Sequence, residues 1–316
     1  MDDNDYIMNT RIYPQDTNKK ECVPMGLSKY MDCILINKKK IFYNKNLQDV
    51  KTIFINMRYP SYEDIIIFFI KNILPTIKNK INIIIAGEDH TFPNSIDIRS
   101  KKKPSVNDIK KYKDLIHHKF IHKIFVENLD EHIHNNVIPI PLGIDSRHCP
   151  PSFQFFLQFE NINEKKPLKI TNFNMNRTMK GQWEERGKVW NLCNNEWKNY
   201  FIETKNLKND KYLKKMGDYW FTICVHGGGI DPCPKVFDAL LIGVIPIIKK
   251  NNPLTTLYED LPIVIVDDWD ILTINEKKLN EWYEKYKYYF LNKDERKKIL
   301  YKLSMNYWLE RINNLS

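Results

Sequence analysis

The sequence predicts an α/β protein in which two Rossmann-like domains face each other across a cleft, followed by a C-terminal helical tail. The first observation is that strand-like and helix-like segments alternate between residues 50 and 145, the order of a parallel, doubly wound sheet. The second is that this alternation starts again after the proline-rich segment PIPLGIDSRHCPPS. The third is that strand candidates such as INIIIAG, at 81–87, are almost continuously apolar and close on glycine, which is typical of strands buried on both faces.

The first half of the chain contains four strand-like runs rich in Ile and Val. They lie at 50–58, 81–90, 123–129 and 137–145. Two helix-like segments, 59–77 and 105–123, separate the first three strands. Ser105 is the predicted N-cap of the second helix, with Asp108 near its first turn, because a serine oxygen can accept N–H groups that a helix start leaves unpaired.

The second half repeats this pattern with shorter elements. Its predicted strands are 168–176, 197–205, 220–225, 244–248 and 261–269. Its predicted helices are 182–193, 212–216 and 234–243, followed by a helical tail from 275 to 315. The expected organisation is an N-terminal domain at 1–150, a hinge at 151–165, a C-terminal domain at 166–274, and helices at 275–316 that pack back on the domains.

The net charge suggests two interpretations. The chain carries 49 Lys and Arg against 39 Asp and Glu, a net charge of +10. Such an excess is typical of proteins with an anionic partner, for example nucleic acid or a phosphate-bearing ligand. The lysines are scattered rather than striped, however, so general over-use of Lys, Asn and Ile is the simpler explanation. The hydrophobic content of 42% argues against global disorder.

Cysteine usage and apolar runs predict the compartment. The six cysteines form no CxxC pair, which argues against a zinc module or a disulfide framework and favours a reducing compartment. The acidic, polar start MDDNDYIMNTRIYPQD does not resemble a signal peptide. The most apolar run, Ile65 to Leu74, is about half of a membrane span and contains Lys71. We therefore expect a soluble, cytoplasmic protein with no integral membrane segment.

A cluster of glycines is the most unusual local feature. Gly227, Gly228 and Gly229 stand together between the strand at 220–225 and the helix at 234–243. Glycine lets the backbone approach an anion closely, and the free N–H groups of a helix start attract negative charge. The arrangement therefore suggests a phosphate site, although neither a P-loop nor a GxGxxG motif is present.

Two charged residues after the glycines fit the same interpretation. Lys235 would place a positive charge where a diphosphate would lie. Asp238, about one turn further along the helix, is an acceptor suited to ribose hydroxyls. The alternative is a loose turn followed by a solvated aspartate, and the spacing alone does not decide between the two.

Residues 212–273 resemble the C-terminal signature of exostosin-like glycosyltransferases. That signature combines an aromatic-rich strand, a glycine-rich turn, a basic residue before an apolar helix, a Gly-x-Ile-Pro strand and an acidic–Trp pair. Here these are Phe221, Gly227 to Gly229, Lys235, Val236 to Ala239, Gly243 to Ile247, and Asp268-Trp269. The chain departs from the pattern at Lys235, where arginine is usual, and in GIDPCPK, where the family is serine-rich.

Two earlier segments occur in the order expected for the same family. IIIAGEDHTFP, at 83–93, is similar to its Gly-x-Asp-His-Phe stretch, and the segment 168–192 resembles its strand, basic turn and helix. Arg177 and Arg186 are the matching arginines. The resemblance implies a GT-B-like fold in which a nucleotide-sugar donor binds the C-terminal domain through Arg177, Arg186, Lys235, Asp238 and the glycine turn.

The resemblance also implies the chemistry. Basic side chains would neutralise the leaving diphosphate without a metal, so no cofactor is expected. An inverting transfer to a glycan or other hydroxyl acceptor needs one general base. Asp89 and His90 are the matching candidates, just past the end of a parallel strand where ligands bind such sheets. Glu88 and Glu127, also at strand ends, are rivals.

Other motifs and functions fit less well. His118 and His122 are four residues apart and EHIH lies at 131–134, but no HExxH motif or acidic third ligand accompanies them. The DDWD segment at 267–270 is interpreted as cleft wall. A basic protein that binds nucleic acid or another polyanion without catalysis is the rival from another class, although no nucleic-acid-binding motif is present. A retaining GT-B transferase is the third alternative.

Overall fold

The computed structural model describes residues 7–12, 23–57, 62–87, 89–96, 104–144, 159, 161–172, 183–202, 207, 209–251 and 253–314. Arg177, Glu88 and most of the predicted hinge lie outside these residues. The described chain forms two separate sheets, with six strands in the first and five in the second.

The first sheet has the strand order β2-β1-β3-β4-β5-β6. Its strands are β1 Cys33–Asn37, β2 Lys40–Tyr43, β3 Thr52–Asn56, β4 Ile81–Ala86, β5 Ile121–Val126 and β6 Val137–Pro139. All neighbours are parallel except β1 and β2, which form an antiparallel hairpin at the edge. The hairpin was not predicted, because the five residues CILIN are too few to show a clear period.

Burial on both faces explains the continuous apolar run of β4. Ile83 and Ile85 lie in one apolar core together with Phe69. Ile84 points into a second core, which also contains Phe221 from the second sheet. Successive side chains of a strand point to opposite faces, so a strand covered on both sides is apolar at nearly every position, and the one polar side chain of β4, Asn82, is buried and hydrogen-bonded.

Two helical segments cover the first sheet where the sequence predicted them. Helix α1 spans Tyr62–Phe68 and continues as a π-helical turn at Phe69–Ile73 and a 3₁₀ turn at Leu74–Thr76. Helix α2 spans Val106–Ile116 and ends earlier than predicted. Its predicted N-cap is confirmed, because the side chain of Ser105 accepts a hydrogen bond from the backbone N–H of Asp108.

The second sheet is parallel throughout, in the order β11-β10-β9-β7-β8. Its strands are β7 Ile170–Thr171, β8 Phe201–Ile202, β9 Phe221–Ile223, β10 Ile245–Lys249 and β11 Val264–Val266. Its helices are α3 Glu184–Asn194, α4 Asn209–Gly217 and α5 Lys235–Leu241. The strands are only two to five residues long, so the loops that follow their carboxyl ends begin close to the buried centre of the sheet.

Two buried cations hold the C-terminal end of α5. The guanidinium of Arg296 donates to the carbonyls of Leu240 and Leu241, and Lys166 Nζ donates to the carbonyl of Gly243 at 3.0 Å. The last carbonyls of a helix have no partner within the helix and carry partial negative charge, so cations stabilise them. Burial lowers the pKa of Lys166 to about 7.

The C-terminal tail is helical, as predicted, and contacts both sheets. Its helices are α6 Glu276–Leu291, α7 Lys293–Lys302 and α8 Met305–Asn313. Tyr283 of α6 packs on Trp220 beside the second sheet, with ring centroids 5.0 Å apart. At the other end, the carbonyl of Ile312 accepts a hydrogen bond from the side chain of Asn82 in the first sheet.

These observations confirm the predicted fold class: α/β, GT-B-like, with two Rossmann-like domains and a C-terminal helical tail. Among the described residues, no helix is both long enough and apolar enough to cross a bilayer. The boundaries given above for the domains and the hinge stay predictions.

Candidate active site

The carboxyl end of β4 makes a sharp exit at Gly87. Its φ is 112°, a conformation that favours glycine. A Cβ at this position would also lie 2.6 Å from Oδ1 of Asn56 on β3. The chain therefore turns tightly out of the sheet and places Asp89 and His90 immediately above its carboxyl edge.

A buried carboxyl group lies beneath this exit. Glu127 follows β5 and is 1% exposed. Its Oε2 accepts a hydrogen bond from the backbone N–H of Gly87 at 2.9 Å and one from the hydroxyl of Thr10 at 2.8 Å. Burial raises the pKa of Glu127 to about 8, against the opposing effects of Arg11 and these two donors. Glu127 therefore joins β4, β5 and the N-terminal segment.

This buried carboxyl predicts a specific dependence of stability on pH. The pKa of Glu127 rises from an ordinary 4.5 in the unfolded chain to about 8 in the folded one, so the folded state binds the extra proton between these values. The contribution of Glu127 to the free energy of unfolding is therefore present below pH 4.5 and lost as the pH rises towards 8. Glu127→Gln should reduce the fall in melting temperature between pH 6 and pH 8 by at least about 3 °C.

The control for this measurement is Glu281→Gln, which changes an exposed carboxylate on α6. It should leave the difference between the two melting temperatures as in the wild type. An unchanged difference in Glu127→Gln would show that Glu127 is ionised in the folded protein at pH 6.

Asp89 is held by a cation from the N-terminal segment. Nη2 of Arg11 lies 2.5 Å from Oδ1 of Asp89, and both side chains are largely buried. His90, the second predicted catalytic residue, is 8% exposed. Of the two candidates, Asp89 is the more accessible, with 17% of its side chain exposed.

Asn128 connects the first sheet to the glycine turn of the second. This residue has a φ of 58°, and its Oδ1 accepts hydrogen bonds from the backbone N–H groups of Ile230 and Asp231, each at 2.8 Å. A Cβ at Gly229 would lie 2.3 Å from the same oxygen. The close approach of the two halves therefore requires glycine at this position.

The residue of the glycine turn that Asn128 contacts, Asp231, is a buried acid. Asp231 accepts hydrogen bonds from the hydroxyl of Tyr258 at 2.8 Å and from the backbone N–H of Cys233 at 3.0 Å. Burial raises its pKa. Because Asp231 follows the glycines directly, these contacts fix the end of the turn against the protein interior.

Arg186 reaches the glycine turn from α3. Its Nε donates to the carbonyl of His226 at 3.1 Å, and a Cβ at Gly227 would lie 3.1 Å from its Nη2. Burial lowers the pKa of Arg186, while the charges of Cys233 and Asp89 act in the opposite direction. Asn128, which follows β5 of the first sheet, bonds the other end of the same turn, so Arg186 lies on the side of the second sheet that meets the first.

A pocket of about 240 Å³ opens at the carboxyl ends of β9 and β10. Glu185 lines it and pairs with Nδ1 of His226 at 2.7 Å and with Nζ of Lys249 at 2.6 Å. Burial alone would raise the pKa of Glu185, but these hydrogen bonds hold it below its ordinary value. Lys250 and Asn251 also line the pocket, which therefore offers both cations and hydrogen-bonding groups.

The remaining predicted donor residues lie around the start of α5. Nζ of Lys235 donates to the carbonyl of Ile223 at 3.3 Å. Asp238 lies on the same helix, where its charge acts on Tyr212 of α4. Gly228 belongs to the turn itself and is partly exposed. The structure thus brings Arg186, Lys235 and the glycine turn to one end of the second sheet, while the roles given to them stay predictions.

Two cysteines flank the glycine turn. Cys224 directly follows β9 and lines the pocket, and Cys233 has a φ of 112°. A hydrogen bond from Cys224 lowers the pKa of Cys233 to about 7, and the charge of Lys235 adds to this effect. The sequence offered no partner for either thiol, because their proximity depends on how the turn folds back.

Several residues of the site were missed by the sequence analysis. Asn128 and Asp231 join the two halves, and Glu185, His226 and Lys249 form the charged wall of the pocket. Asn128 and His226 lie just past strands and Lys249 ends β10, so these strand ends were the available signal, whereas Glu185 lies on α3 and had none. Among the described residues, no group of three or more His, Cys, Asp or Glu side chains could hold a metal ion.

Three solved structures are similar in fold. TarM matches 88% of this chain and 59% of its own, with 10% identity and a TM-score of 0.42. An α1,3-fucosyltransferase matches 86% of this chain and 79% of its own, with 13% identity and a TM-score of 0.35. The match to sucrose-phosphate synthase from Thermosynechococcus elongatus covers 84% of this chain and 73% of the synthase, with 9% identity and a TM-score of 0.45.

The present chain therefore spans less than two thirds of the length of TarM. No protein-family model matches its sequence, and no curated protein matches it either.

Proposed function

We propose that this protein is a glycosyltransferase that moves a sugar from a nucleoside diphosphate to a hydroxyl acceptor. One observation carries the proposal: the glycine turn, which Arg186 contacts from the second sheet, ends on hydrogen bonds from Ile230 and Asp231 to Asn128 at the carboxyl end of the first sheet, the end at which Asp89 lies. A base for an acceptor hydroxyl and a cation for a leaving diphosphate are the two groups that such a transfer requires.

The donor side would be the carboxyl end of the second sheet. Arg186 and Lys235 both bond backbone carbonyls just before the glycine turn, and Lys249 and Lys250 line the adjacent pocket. Preorganised cations and backbone N–H groups stabilise the charge that develops on a leaving diphosphate, and they need no metal to do so. The site therefore supports a metal-independent reaction.

The acceptor side would be the carboxyl end of the first sheet. Asp89 is fixed by Arg11 and remains partly exposed, so it can be oriented and still reach a substrate. Glu127 is buried and already accepts two hydrogen bonds, which favours a positioning role beneath the site. A single base facing the donor is the arrangement expected for inverting transfer, and an exostosin-like enzyme is the family that the sequence motifs favour.

Binding of nucleotide without metal is the test of this proposal. Uridine or guanosine diphosphate should raise the melting temperature in the presence of EDTA, because a ligand that binds only the folded state stabilises it. At about one hundred times the dissociation constant, the expected gain is about 2.7 kcal/mol. Thermal shift across a panel of nucleotides and nucleotide sugars measures it.

Two controls separate this result from nonspecific anion binding. Inorganic diphosphate at matched ionic strength should give a smaller shift, since it lacks the nucleoside. Heparin tests the rival function as a polyanion-binding protein, whose affinity would fall steeply with salt. The absence of a shift with any nucleotide, or its loss on addition of EDTA, would contradict metal-independent donor binding.

A further inference from the structure

Two thiols are in contact where the two ends of the glycine turn meet. Cys224 directly follows β9, and Cys233 comes after the three glycines. The S–H group of Cys224 donates a hydrogen bond to the sulfur of Cys233. A second contact joins the same two parts of the chain, because Nζ of Lys235 donates to the carbonyl of Ile223 at 3.3 Å. The turn therefore folds back until its two ends meet at the thiols.

The backbone of Cys233 is fixed on both sides of its side chain. Its N–H donates to Oδ1 of Asp231 at 3.0 Å, and its carbonyl accepts a hydrogen bond from the N–H of Val236 at 3.1 Å. Asp231 is itself buried and accepts a hydrogen bond from Tyr258 at 2.8 Å. Rotation of the side chain is then the main freedom that the thiol of Cys233 retains, and its partner is already in contact.

The environments of the two thiols give them different reactivities. Cys224 is 1% exposed, and burial raises its pKa well above the ordinary value, so it remains a protonated thiol. Cys233 is partly exposed. The hydrogen bond from Cys224 lowers the pKa of Cys233 to about 7 against the effect of burial, and the charge of Lys235 adds to the lowering. Because the thiolate is the nucleophilic form, Cys233 is the reactive member of the pair.

Two other cysteines provide an internal standard. Cys33 on β1 and Cys193 on α3 are both fully buried. Burial raises the pKa of each thiol to about 12. Thiols that are buried in apolar surroundings and protonated are inert, so these two cysteines should not react under conditions that oxidise Cys233.

We propose that Cys224 and Cys233 form a reversible disulfide when the protein meets hydrogen peroxide. The thiolate of Cys233 attacks one peroxide oxygen, the O–O bond breaks, and the released hydroxide takes up the proton that Cys233 had lost. Cys233 is then a sulfenic acid. The sulfur of Cys224 attacks the sulfur of Cys233, the S–O bond breaks, and the oxygen leaves as water with the thiol proton of Cys224. The two thiols are oxidised to one disulfide, and the peroxide is reduced to water.

The disulfide encloses the glycine turn in a covalent ring. Gly227 to Gly229 lie between the two cysteines, and Cys224 also lines the pocket beside the turn. A bond between the ends of the turn restricts the backbone of these glycines, which are the most flexible residues of the segment. The reaction needs only the two thiols and the peroxide, so it is independent of the proposed transfer of sugar.

Peptide mapping of the wild-type protein after mild oxidation tests this proposal. Trypsin cleaves after Lys215 and Lys235, so the peptide 216–235 contains both thiols and no other cysteine. The reduced protein is treated with hydrogen peroxide, then alkylated with iodoacetamide in denaturant and digested. Peptide 216–235 should lack two hydrogen atoms and remain unalkylated, and dithiothreitol should restore both thiols. Cys33 and Cys193 should be alkylated in the same sample.

Serine variants separate the roles of the two thiols. Cys224→Ser leaves Cys233 without a partner, so dimedone should label Cys233 as its sulfenic acid. Cys233→Ser should slow the oxidation of peptide 216–235 at least about tenfold, because the remaining thiol is buried and protonated.

Two results would overturn the proposal. One is that both thiols of peptide 216–235 stay free after a treatment that converts glutathione to its disulfide. The other is that the wild type accumulates sulfinic or sulfonic acid at Cys233 without the disulfide. The map of the wild-type protein decides in either case, even if a serine variant fails to fold.

Discussion

Replacing Asp89 by asparagine should lower sugar transfer by about a hundredfold to ten-thousandfold, which is the usual cost of removing a positioned base. The affinity for nucleotide should change little, because a base acts on the transition state and hardly on the bound donor. The measurement is the rate of transfer alongside the dissociation constant of the nucleotide. Donor hydrolysis replaces transfer if no acceptor has been found.

Two comparisons make this experiment specific to Asp89. Asp114→Asn changes an exposed carboxylate on α2 of the same domain and should keep full activity. Arg11→Met removes the partner of Asp89 but keeps its carboxylate, so a smaller loss is expected. Activity within about fivefold of the wild type in Asp89→Asn would show that Asp89 is not the general base. His90→Ala and Glu127→Gln would then distinguish the remaining described candidates.

Replacing Arg186 by glutamine should weaken nucleotide binding by about tenfold to a hundredfold. A charge-assisted hydrogen bond to phosphate is worth about 1.5–3 kcal/mol, and 1.4 kcal/mol corresponds to a factor of ten. Arg186→Lys should lie between the wild type and glutamine, because it retains the charge and loses the planar fork. Calorimetry with the nucleotide identified by the thermal-shift panel measures all three proteins.

The control for Arg186 comes from the same helix. Lys188 lies two residues further on, is exposed, and pairs with Asp268 at 3.1 Å. Lys188→Gln removes the same charge and should leave nucleotide affinity nearly unchanged. Arg186 also donates to the carbonyl of His226, so the melting temperature of each variant without nucleotide must be measured. Equal affinity in Arg186→Gln and the wild type would place the diphosphate elsewhere.

Lys235 and Arg186 contribute to the proposed donor site in different ways. Lys235 donates to the carbonyl of Ile223 through its only side-chain nitrogen, whereas Arg186 donates to the carbonyl of His226 through Nε and places Nη2 beside Gly227. Arginine offers five N–H donors in a fixed plane, and lysine offers a point charge on a flexible stem. We therefore place the larger share of diphosphate recognition on Arg186, although the sequence pattern gave the two residues equal weight.

The sequence by itself determined the order of the elements and the positions of their carboxyl ends. Continuous apolar runs such as that of β4 mark strands buried on both faces, and the glycines at 227–229 mark a turn that approaches another group closely. Both are local consequences of side-chain chemistry, so they can be read without a structure. Arg186 and Asp89 became candidates through the family resemblance, to which the position of Asp89 just past a strand end was added, and their roles stay predictions.

Only the tertiary structure decided which groups meet. Asn128 bonds the backbone of Asp231 across 103 positions of sequence, and Arg11 pairs with Asp89 across 78. The partners lie in loops and in an N-terminal segment that have no periodic pattern. Their pairing follows from how these loops and the N-terminal segment pack above the carboxyl ends of the strands, and burial there raises the pKa of Glu127. A sequence pattern gives the polarity of a position, but solvent exclusion depends on everything packed around it.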